Sequence, residues 1–475
     1  MSFYFYDLET TGLDPFKDRI MQFGGLQLDD DLRPAGELEE FYVKLSEDIL
    51  PNPEAVVLHG ILPQTANLEG LSEYQFLNWL ESEVYPGQPV FGGYNTANFD
   101  NQFMRWLHWR NFAPEAPMLK PSASFDVYKL LRLTADLRPE GLAWPKAEGS
   151  GRRSLTLGAL AEANQIKRDR LHSAGGDVEV TAALARLIKG AQPKLFDHFL
   201  NLLQPEFVSD IVGSDNQPFI YNHYNNLASG ASTTLAAVLA EHPTRVGCFI
   251  VYDLRQDVAP WRKLSAYDLS LRLKRIGPKH QLSTPFSILD INYSPVVAPV
   301  KVLDVGAAGR LGLDKGAISR NWRDLQEGDL AKTASEAYLR LANEAQAKDP
   351  ETGFEAALAR AKLTEEDESK RLKLRAAKPD EIADLDLKFA DPRLKQLQLL
   401  YQARNFPKTL KIDQLFDWEQ YRERVFTGGK PSGLDVFRRQ LRRHLMQRRE
   451  DPEIINLLEE LQTYVENILP EKVAG

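Results

Sequence analysis

The chain has 475 residues, of which 43% are hydrophobic and 26% are charged, and its formal net charge is −9. This length predicts roughly two to four domains, and the composition excludes a disordered or membrane-spanning protein. The single cysteine, Cys248, excludes an intrachain disulfide and a thiolate metal cluster and agrees with a reducing compartment. Because the first candidate site residue, Asp7, leaves no room for a cleaved signal peptide, we expect a cytoplasmic protein that does not contact a membrane.

Strand-like runs come first in the chain, and helical patterns follow them. Residues 3–8 and 19–28 are short apolar and aromatic runs that predict strands. Residues 155–161 and 180–188 carry apolar side chains at helical spacing. We therefore predict an α/β domain over residues 1–192.

The rest of the chain divides into two regions by composition. Short β-rich runs at residues 248–254, 286–291 and 295–303 predict a small barrel or sheet with helical insertions over residues 193–345. Ala, Leu, Glu, Lys and Arg at helical spacing predict an all-helical domain over residues 346–475.

Positive charge is concentrated near the C-terminus. Residues 393–449 hold 14 Lys and Arg against 5 Asp and Glu, a local excess of nine, which leaves −18 for the remainder of the chain. Such a region could face phosphate while the rest of the surface repels it. A solvated helical surface is the alternative interpretation.

Two acids end the first predicted strand. Side-chain alternation places Asp7 and Glu9 on one face of the strand and Leu8 on the other. Two carboxylates in one small volume need a compensating cation, and a hard, oxygen-preferring ion such as Mg²⁺ or Mn²⁺ supplies it. A strand end with two solvated acids is the alternative, but the next residues, Thr10-Thr11-Gly12, favour a site.

Two later segments carry further candidates. Asp100 follows a glycine-rich turn and precedes a helical pattern, where it could alternatively cap that helix. Asp177 precedes Val180 and Leu184 by three and seven residues, so it projects from the inward stripe of its helix and needs a partner. His172 adds a titratable imidazole five residues earlier, although an arbitrary histidine is more often a surface or core residue.

The motifs Asp7-x-Glu9-Thr10-Thr11-Gly12, Asn95 to Asp100 and His172-x4-Asp177 resemble the three exonuclease motifs of the DEDDh superfamily. Residues 137–145, 192–197 and 403–407 resemble bacterial exonuclease I, so the resemblance covers nearly the whole chain. It implies an α/β multidomain fold: an RNase H-like exonuclease domain, an SH3-like β-rich central domain and an all-helical C-terminal domain. Together these domains would enclose a groove for single-stranded DNA.

The resemblance also implies a two-metal reaction. Two Mg²⁺ ions about 4 Å apart, for which Mn²⁺ could substitute, would serve both ends of an in-line displacement. Asp7, Glu9 and Asp177 would ligate one ion, and Asp7 with Asp100 would hold the other. His172 would be the general base, because an imidazole with a pKa near about 6.5 can accept the water's proton. The product would be a 5′-mononucleotide released from the 3′ end, in DNA repair and recombination.

Contacts to substrate and partner are implied in the same way. Positions that match substrate-binding residues of the family are Glu9, Thr10, Gly12, Asn95, Phe99, Arg105 and Arg132. An ordinary surface position is the alternative for the two arginines. Arg138 fits the basic pocket with which exonuclease I binds the acidic tail of the single-strand DNA-binding protein, although Pro299 and Asp304 stand where that pocket would have glutamine and arginine. We expect a monomer.

Two other functions remain open. A different DEDDh nuclease, such as an RNA trimmer or a proofreading subunit, would need little beyond the first domain, and a preference about the 2′-hydroxyl cannot be read from the residues. A non-catalytic single-strand binder would keep the fold without the chemistry, but all five chemical positions are filled here.

Overall fold

The computed structural model describes residues 1–121, 123–147, 149, 152–167, 173–213, 217–223, 232–275, 284–347, 354–359 and 361–474, without the side chains of 345–347, 356, 383 and 474. The chain folds into two compact units. The first consists of Met1–Leu119, Arg168–Ala182 and Glu351–Gly475, and the second of Lys120–Lys167 and Ala183–Pro350. Among the described helices, none combines the length and the apolar character that crossing a bilayer demands.

Ten strands are described. They are β1 (Phe3–Thr10), β2 (Ile20–Leu28), β3 (Pro34–Tyr42), β4 (Val90–Gly93), β5 (Ser124–Asp126), β6 (Phe219–Asn222), β7 (Thr233–Glu241), β8 (Cys248–Asp253), β9 (Phe286–Asp290) and β10 (Val296–Pro299).

The α-helices outnumber the strands in the described residues. They are α1 (Pro53–His59), α2 (Pro63–Glu69), α3 (Glu73–Trp79), α4 (Asp100–Arg110), α5 (Val127–Leu137), α6 (Leu157–Ala163), α7 (Ala174–Ala191), α8 (Pro193–Asn201), α9 (Pro205–Val212), α10 (Ala259–Arg262), α11 (Ala266–Lys274), α12 (Val305–Arg310), α13 (Lys315–Gln326), α14 (Leu330–Ala347), α15 (Phe354–Ala359), α16 (Glu365–Ala376), α17 (Arg393–Asn405), α18 (Ile412–Thr427), α19 (Gly433–Gln447), α20 (Pro452–Asn467) and α21 (Glu471–Ala474).

The sheet of the first unit contains strands in the order β3-β2-β1-β4. β1 is antiparallel to β2 and parallel to β4, and β2 is antiparallel to β3. The register places Gly24 opposite Asp7 and Gln22 opposite Glu9. Because opposed residues project to the same face of a sheet, positions 22 and 24 lie on the face that carries the two acids.

Alternation along β1 places Leu8 and the two acids on opposite faces of the sheet. Tyr4, Tyr6 and Leu8 are buried in an aromatic core that also contains Phe23 and Phe76. Asp7 and Glu9 project from the opposite face of the strand. The predicted separation of Leu8 from the two acids is therefore confirmed.

The sheet of the second unit is entirely antiparallel, in the order β10-β6-β7-β8-β9. Two of the predicted runs are confirmed as β8 and β9. The third run, 295–303, forms a strand only as far as Pro299 and then turns through Val300–Val302. Proline has no N–H group to continue a ladder, which agrees with its place at the strand end.

The C-terminal third is helical in its described part, as predicted. α16 lies within residues 362–378, a segment that is dense in charges of both signs. Its start is well specified, because Thr364 accepts a hydrogen bond from the Asp367 N–H and acids fill the first turn.

Candidate active site

Three carboxylates from two distant segments meet beside β1. Asp7, Glu9 and Asp177 each offer an oxygen atom, and these oxygens lie within 4.8 Å of one another. All three side chains are half-buried. Carboxylates at this separation repel one another, and an all-oxygen set of this kind is the donor set that Mg²⁺ and Mn²⁺ prefer.

Asp100 is the fourth acid of the group. Burial raises the pKa of Asp7 well above its usual range, and the charges of Asp100, Asp177 and Glu9 raise it further. Asp100 is buried and is the first residue of α4, whereas Phe99 occupies the N-cap position. The alternative in which Asp100 serves as the helix cap is therefore wrong, and all four predicted carboxylates interact around Asp7.

The start of α7 determines where Asp177 lies. The Ala174 N–H donates to Gln22 Oε1 at 3.1 Å, and the Gly175 N–H donates to Glu40 Oε1 at 3.2 Å. Gln22 and Glu40 thus hold two N–H groups that a helix start leaves without intrahelical partners. Neither residue was identified from the sequence. The available signal was a polar residue, Gln22, in a strand that is apolar apart from Gln22 and Gln27.

The loop after β1 is fixed by its own hydrogen bonds. The Thr10 hydroxyl donates to the Gly12 carbonyl at 2.7 Å, and the Thr11 carbonyl accepts from the Asn52 N–H at 2.7 Å. The space where a Cβ on Gly12 would lie is filled by the carboxylate of Asp18, at 2.6 Å from its Cγ. A side chain at position 12 would therefore displace this carboxylate from its hydrogen bonds with the Thr11 hydroxyl and the Asp14 N–H.

His59 supports the same loop from α1. Its Nδ1 accepts from the Ile61 N–H at 3.0 Å, which leaves the proton on Nε2 to donate to the Thr10 carbonyl at 3.3 Å. Burial lowers the pKa of His59 to about 4, so the ring is neutral at neutral pH. This contact could not be predicted from the sequence, because residues 10 and 59 meet only in the folded chain.

The remaining candidates of the first unit lie near the start of α4, apart from His172, which falls outside the described residues. Asn95 is in a left-handed conformation, with φ of 62°, and accepts from the Asn98 amide at 3.0 Å. Phe99 is half-buried against Phe103, with ring centroids 4.9 Å apart. Arg105 is half-buried and lines a cavity of about 310 Å³.

The two candidates of the second unit have clear local environments. Arg132 is buried, with its Cζ 5.8 Å from the centroid of the Tyr128 ring, so the surface alternative is wrong for it. Arg138 is partly exposed, donates to the Val302 carbonyl at 2.7 Å and forms an ion pair with Asp304 at 3.0 Å. Asp304 therefore already pairs with the Arg138 guanidinium, which is the group predicted to bind the acidic tail of the single-strand DNA-binding protein.

Comparison with known proteins gives three family matches along the chain. Residues 4–185 match the family described as Exonuclease, residues 206–340 the Exonuclease I SH3-like domain and residues 353–468 the Exonuclease I C-terminal domain. The protein thus combines an RNase H-like exonuclease domain, an SH3-like domain and a helical C-terminal domain, as predicted.

Relatives match over the full length as well. The chain is 31% identical to exodeoxyribonuclease I of Escherichia coli (strain K12), over 98% of both chains. A crystal structure of E. coli exonuclease I in complex with a dA16 oligonucleotide superposes with a TM-score of 0.90 at 30% identity, covering 98% of this chain and 99% of that one. A structure of SSB/exonuclease I in complex with the inhibitor CFAM has a TM-score of 0.87 at 29% identity, with coverage of 98% and 99%. The chain belongs to the exonuclease I family and is an exodeoxyribonuclease.

Proposed function

We propose that the protein degrades single-stranded DNA processively from the 3′ end, releasing 5′-mononucleotides in a Mg²⁺-dependent reaction. The observation that carries this proposal is the convergence of Asp7, Glu9 and Asp177. The relatives in complex with oligonucleotides support the choice of substrate. A cytoplasmic role in DNA repair and recombination, as a monomer, fits this activity.

The carboxylates have separate roles in this proposal. Asp7, Glu9 and Asp177 would hold one Mg²⁺, and Asp7 with Asp100 would hold a second. When bound, the two ions would activate the attacking water and stabilise charge on the phosphate. The raised pKa of Asp7 agrees with such a site, because four acids gathered around it are unfavourable without added positive charge.

His172 would accept the proton of the attacking water. This step requires a neutral imidazole. A histidine side chain with its ordinary pKa of about 6.5 is mostly neutral at neutral pH. His172 precedes Asp177 by five residues in the sequence, the spacing of the third exonuclease motif.

The terminal nucleotide would lie against the loop after β1. The backbone of Glu9, Thr10 and Gly12 would contact it, and Asn95 and Phe99 would form a wall beside it. Leu13 has an exposed fraction of 82% directly after Gly12, so it offers an apolar surface for a base. Arg105 and Arg132 would bind phosphates of the strand.

Domain boundaries and the protein partner complete the proposal. We place the three domains at residues 1–192, 193–345 and 346–475. Arg138 would bind the acidic tail of the single-strand DNA-binding protein, which the structure of SSB with a related exonuclease I supports. The ion pair with Asp304 would weaken this contact.

The test uses a 5′-labelled single-stranded oligonucleotide with and without Mg²⁺. We expect a ladder that shortens from the 3′ end only when the ion is present, with matched RNA and duplex DNA degraded more slowly. Asp177→Asn should lower the rate by at least about 100-fold. Glu179→Gln is the matched control, since Glu179 is exposed on the same helix and should leave the rate unchanged. Shortening from the 5′ end or without divalent ions would overturn the proposal.

A further inference from the structure

The exposed side of α19 carries four arginines in two rows. This arginine face consists of Arg438, Arg439, Arg442 and Arg443, all of them exposed. The opposite side of α19 is buried through Leu434, Phe437 and Leu441 in a core shared with α1 and α20. With about 100° of rotation per residue, the arginines lie on one side of the helix and the buried residues on the other.

Nearby acids neutralise the arginine face only weakly. Arg443 lies 3.9 Å from Glu54, and both side chains are more than half exposed, so the pair contributes little. Asp435 is exposed and accepts from the hydroxyl of the N-cap residue Ser432 at 2.7 Å, and its charge also acts on Arg438 and Arg439. Residues 433–449 include six arginines and one acid in a chain whose net charge is −9. This density of positive charge selects a polyanion.

The shape of the arginine face fits an extended phosphate backbone. Residues four apart on a helix are separated by about 6 Å along its axis, so each row presents two guanidinium groups at a spacing similar to that of successive phosphates in an extended strand. Met446, with an exposed fraction of 76%, lies on the same side and offers an apolar surface to unpaired bases.

α1 lies between the buried side of α19 and the loop after β1, and the arginine face is on the far side of α19. α1 contacts the loop after β1 through Asn52 and His59, and its Val56 packs in the same core as Phe437 and Leu441 of α19. Packed helices lie about 8–10 Å apart, so a strand whose end lies at the active site would reach the arginine face by passing around α1 and α19 over several nucleotides.

We propose that the arginine face binds the phosphate backbone of single-stranded DNA several nucleotides upstream of the 3′ end held at the carboxylates. The inference rests on the proposed function for the position of that 3′ end. Since short substrates would not reach α19, its contribution grows with the length of the strand. An acidic protein segment is the competing occupant; the regular spacing of the two rows favours the evenly spaced phosphates of a strand.

The experiment compares the quadruple variant R438Q/R439Q/R442Q/R443Q with wild type. Fluorescence anisotropy in EDTA measures the Kd of labelled oligothymidylate of about 6 and about 30 nucleotides, the first within the site size of one binding module and the second well beyond it. We expect about a 10- to 100-fold weaker Kd for the long strand at low salt, and a slope of log Kd against log salt smaller by about 3. The Kd for the short strand should change by less than about twofold, because the short strand does not reach α19 and exposed charges at a distance contribute little.

A control variant with the same loss of charge is available in the same domain. K378Q/K388Q/K395Q/K408Q removes four exposed lysines outside α19 and should leave the ratio of the long-strand to the short-strand Kd unchanged. An equal loss in both quadruple variants would show that net charge alone matters, and would overturn the proposal. Unchanged DNA affinity together with lost binding of a poly-glutamate peptide would assign the arginine face to an acidic protein instead. Because binding is measured without divalent ions, the result does not depend on nuclease activity, whose absence from wild type would refute only the proposed function.

Discussion

Gly24 and Ala174 approach each other so closely that position 24 has no room for a side chain. A Cβ on Gly24 would lie 2.7 Å from the carbonyl oxygen of Ala174. Gly24 is opposite Asp7 in the β1–β2 pair, and Ala174 begins α7 three residues before Asp177. This contact therefore sets how near α7 comes to the sheet, and with it the position of Asp177 relative to Asp7.

We predict that Gly24→Ala lowers nuclease activity by about 100-fold, because a displacement of about 1 Å at a catalytic site has an effect of that size. The added methyl group must push the start of α7 away, which separates Asp177 from Asp7 and Glu9. Initial rates across a Mg²⁺ titration measure the effect, and a higher Mg²⁺ requirement is expected along with the lower maximal rate.

Gly190→Ala is the control for this substitution. Gly190 lies near the other end of α7, and a Cβ there would have no atom within 4 Å. The substitution should therefore change only the helix propensity of α7 and leave the nuclease rate unchanged. Circular dichroism establishes that both variants are folded. Wild-type activity in a folded Gly24→Ala protein would show that this contact does not position Asp177.

Arg404 forms a buried ionic group with Asp48 at 2.9 Å and Glu355 at 2.8 Å. The exposed fractions of the Arg404 and Asp48 side chains are 6% and 1%. Although burial opposes its ionisation, the charge of Arg404 holds the pKa of Asp48 below its usual value. We predict that Arg404→Met lowers the free energy of unfolding by about 3–5 kcal/mol, because the buried Asp48 and the half-buried Glu355 lose their cation.

Urea unfolding of wild type, Arg404→Met and Lys395→Met measures the difference. Lys395 pairs with Asp386 at 3.8 Å on the surface, with exposed fractions of 58% and 79%, so its removal should cost less than about 1 kcal/mol. Similar losses in the two variants would mean that burial adds nothing to the Arg404 pair.

The parts of the site geometry that could be predicted from sequence are those set by the side-chain period of a single strand or helix. Alternation alone placed Asp7 and Glu9 on the face opposite Leu8, and helical spacing directed Asp177 inward. Both follow from backbone periods that do not depend on the rest of the fold.

The supports of the site could not be predicted in the same way. Gln22 and Glu40 hold the start of α7 only because the register of β1, β2 and β3 brings them there, and register depends on tertiary packing. Asp304 stands 166 positions after Arg138 in the sequence, so its ion pair became evident only from the folded second unit. Spacing within a motif carries no information about such partners.

His59 makes stability depend on pH. Burial lowers its folded-state pKa to about 4, against about 6.5 when unfolded. Between these values the unfolded chain binds more protons, so stability is complete above about pH 6.5 and is lost as the pH falls towards about 4. Protonation of Nδ1 would also break its hydrogen bond with the Ile61 N–H, because both groups would then be donors.

We predict that His59→Gln reduces the loss of unfolding free energy between about pH 7 and about pH 5 by about 2 kcal/mol. The glutamine amide can still donate to the Thr10 carbonyl but does not titrate. Denaturant unfolding at both pH values measures this change. His242→Gln, at a less buried histidine, serves as the comparison. Equal pH dependence in wild type and His59→Gln would contradict the prediction.

Asp304→Asn should strengthen binding of the acidic tail of the single-strand DNA-binding protein. Asp304 now neutralises Arg138, and its pKa is lowered first by the hydrogen bond from the Ala307 N–H and then by Arg138. Asparagine keeps an oxygen for the Ala307 N–H, so α12 remains capped while the negative charge is removed. Fluorescence anisotropy with a synthetic tail peptide should show an affinity gain of about two- to fivefold that disappears at high salt. Asp314→Asn is the matched control, because Asp314 caps α13 in the same manner and should leave the affinity unchanged. If Asp304→Asn gives no gain, Arg138 is not a site for the acidic tail.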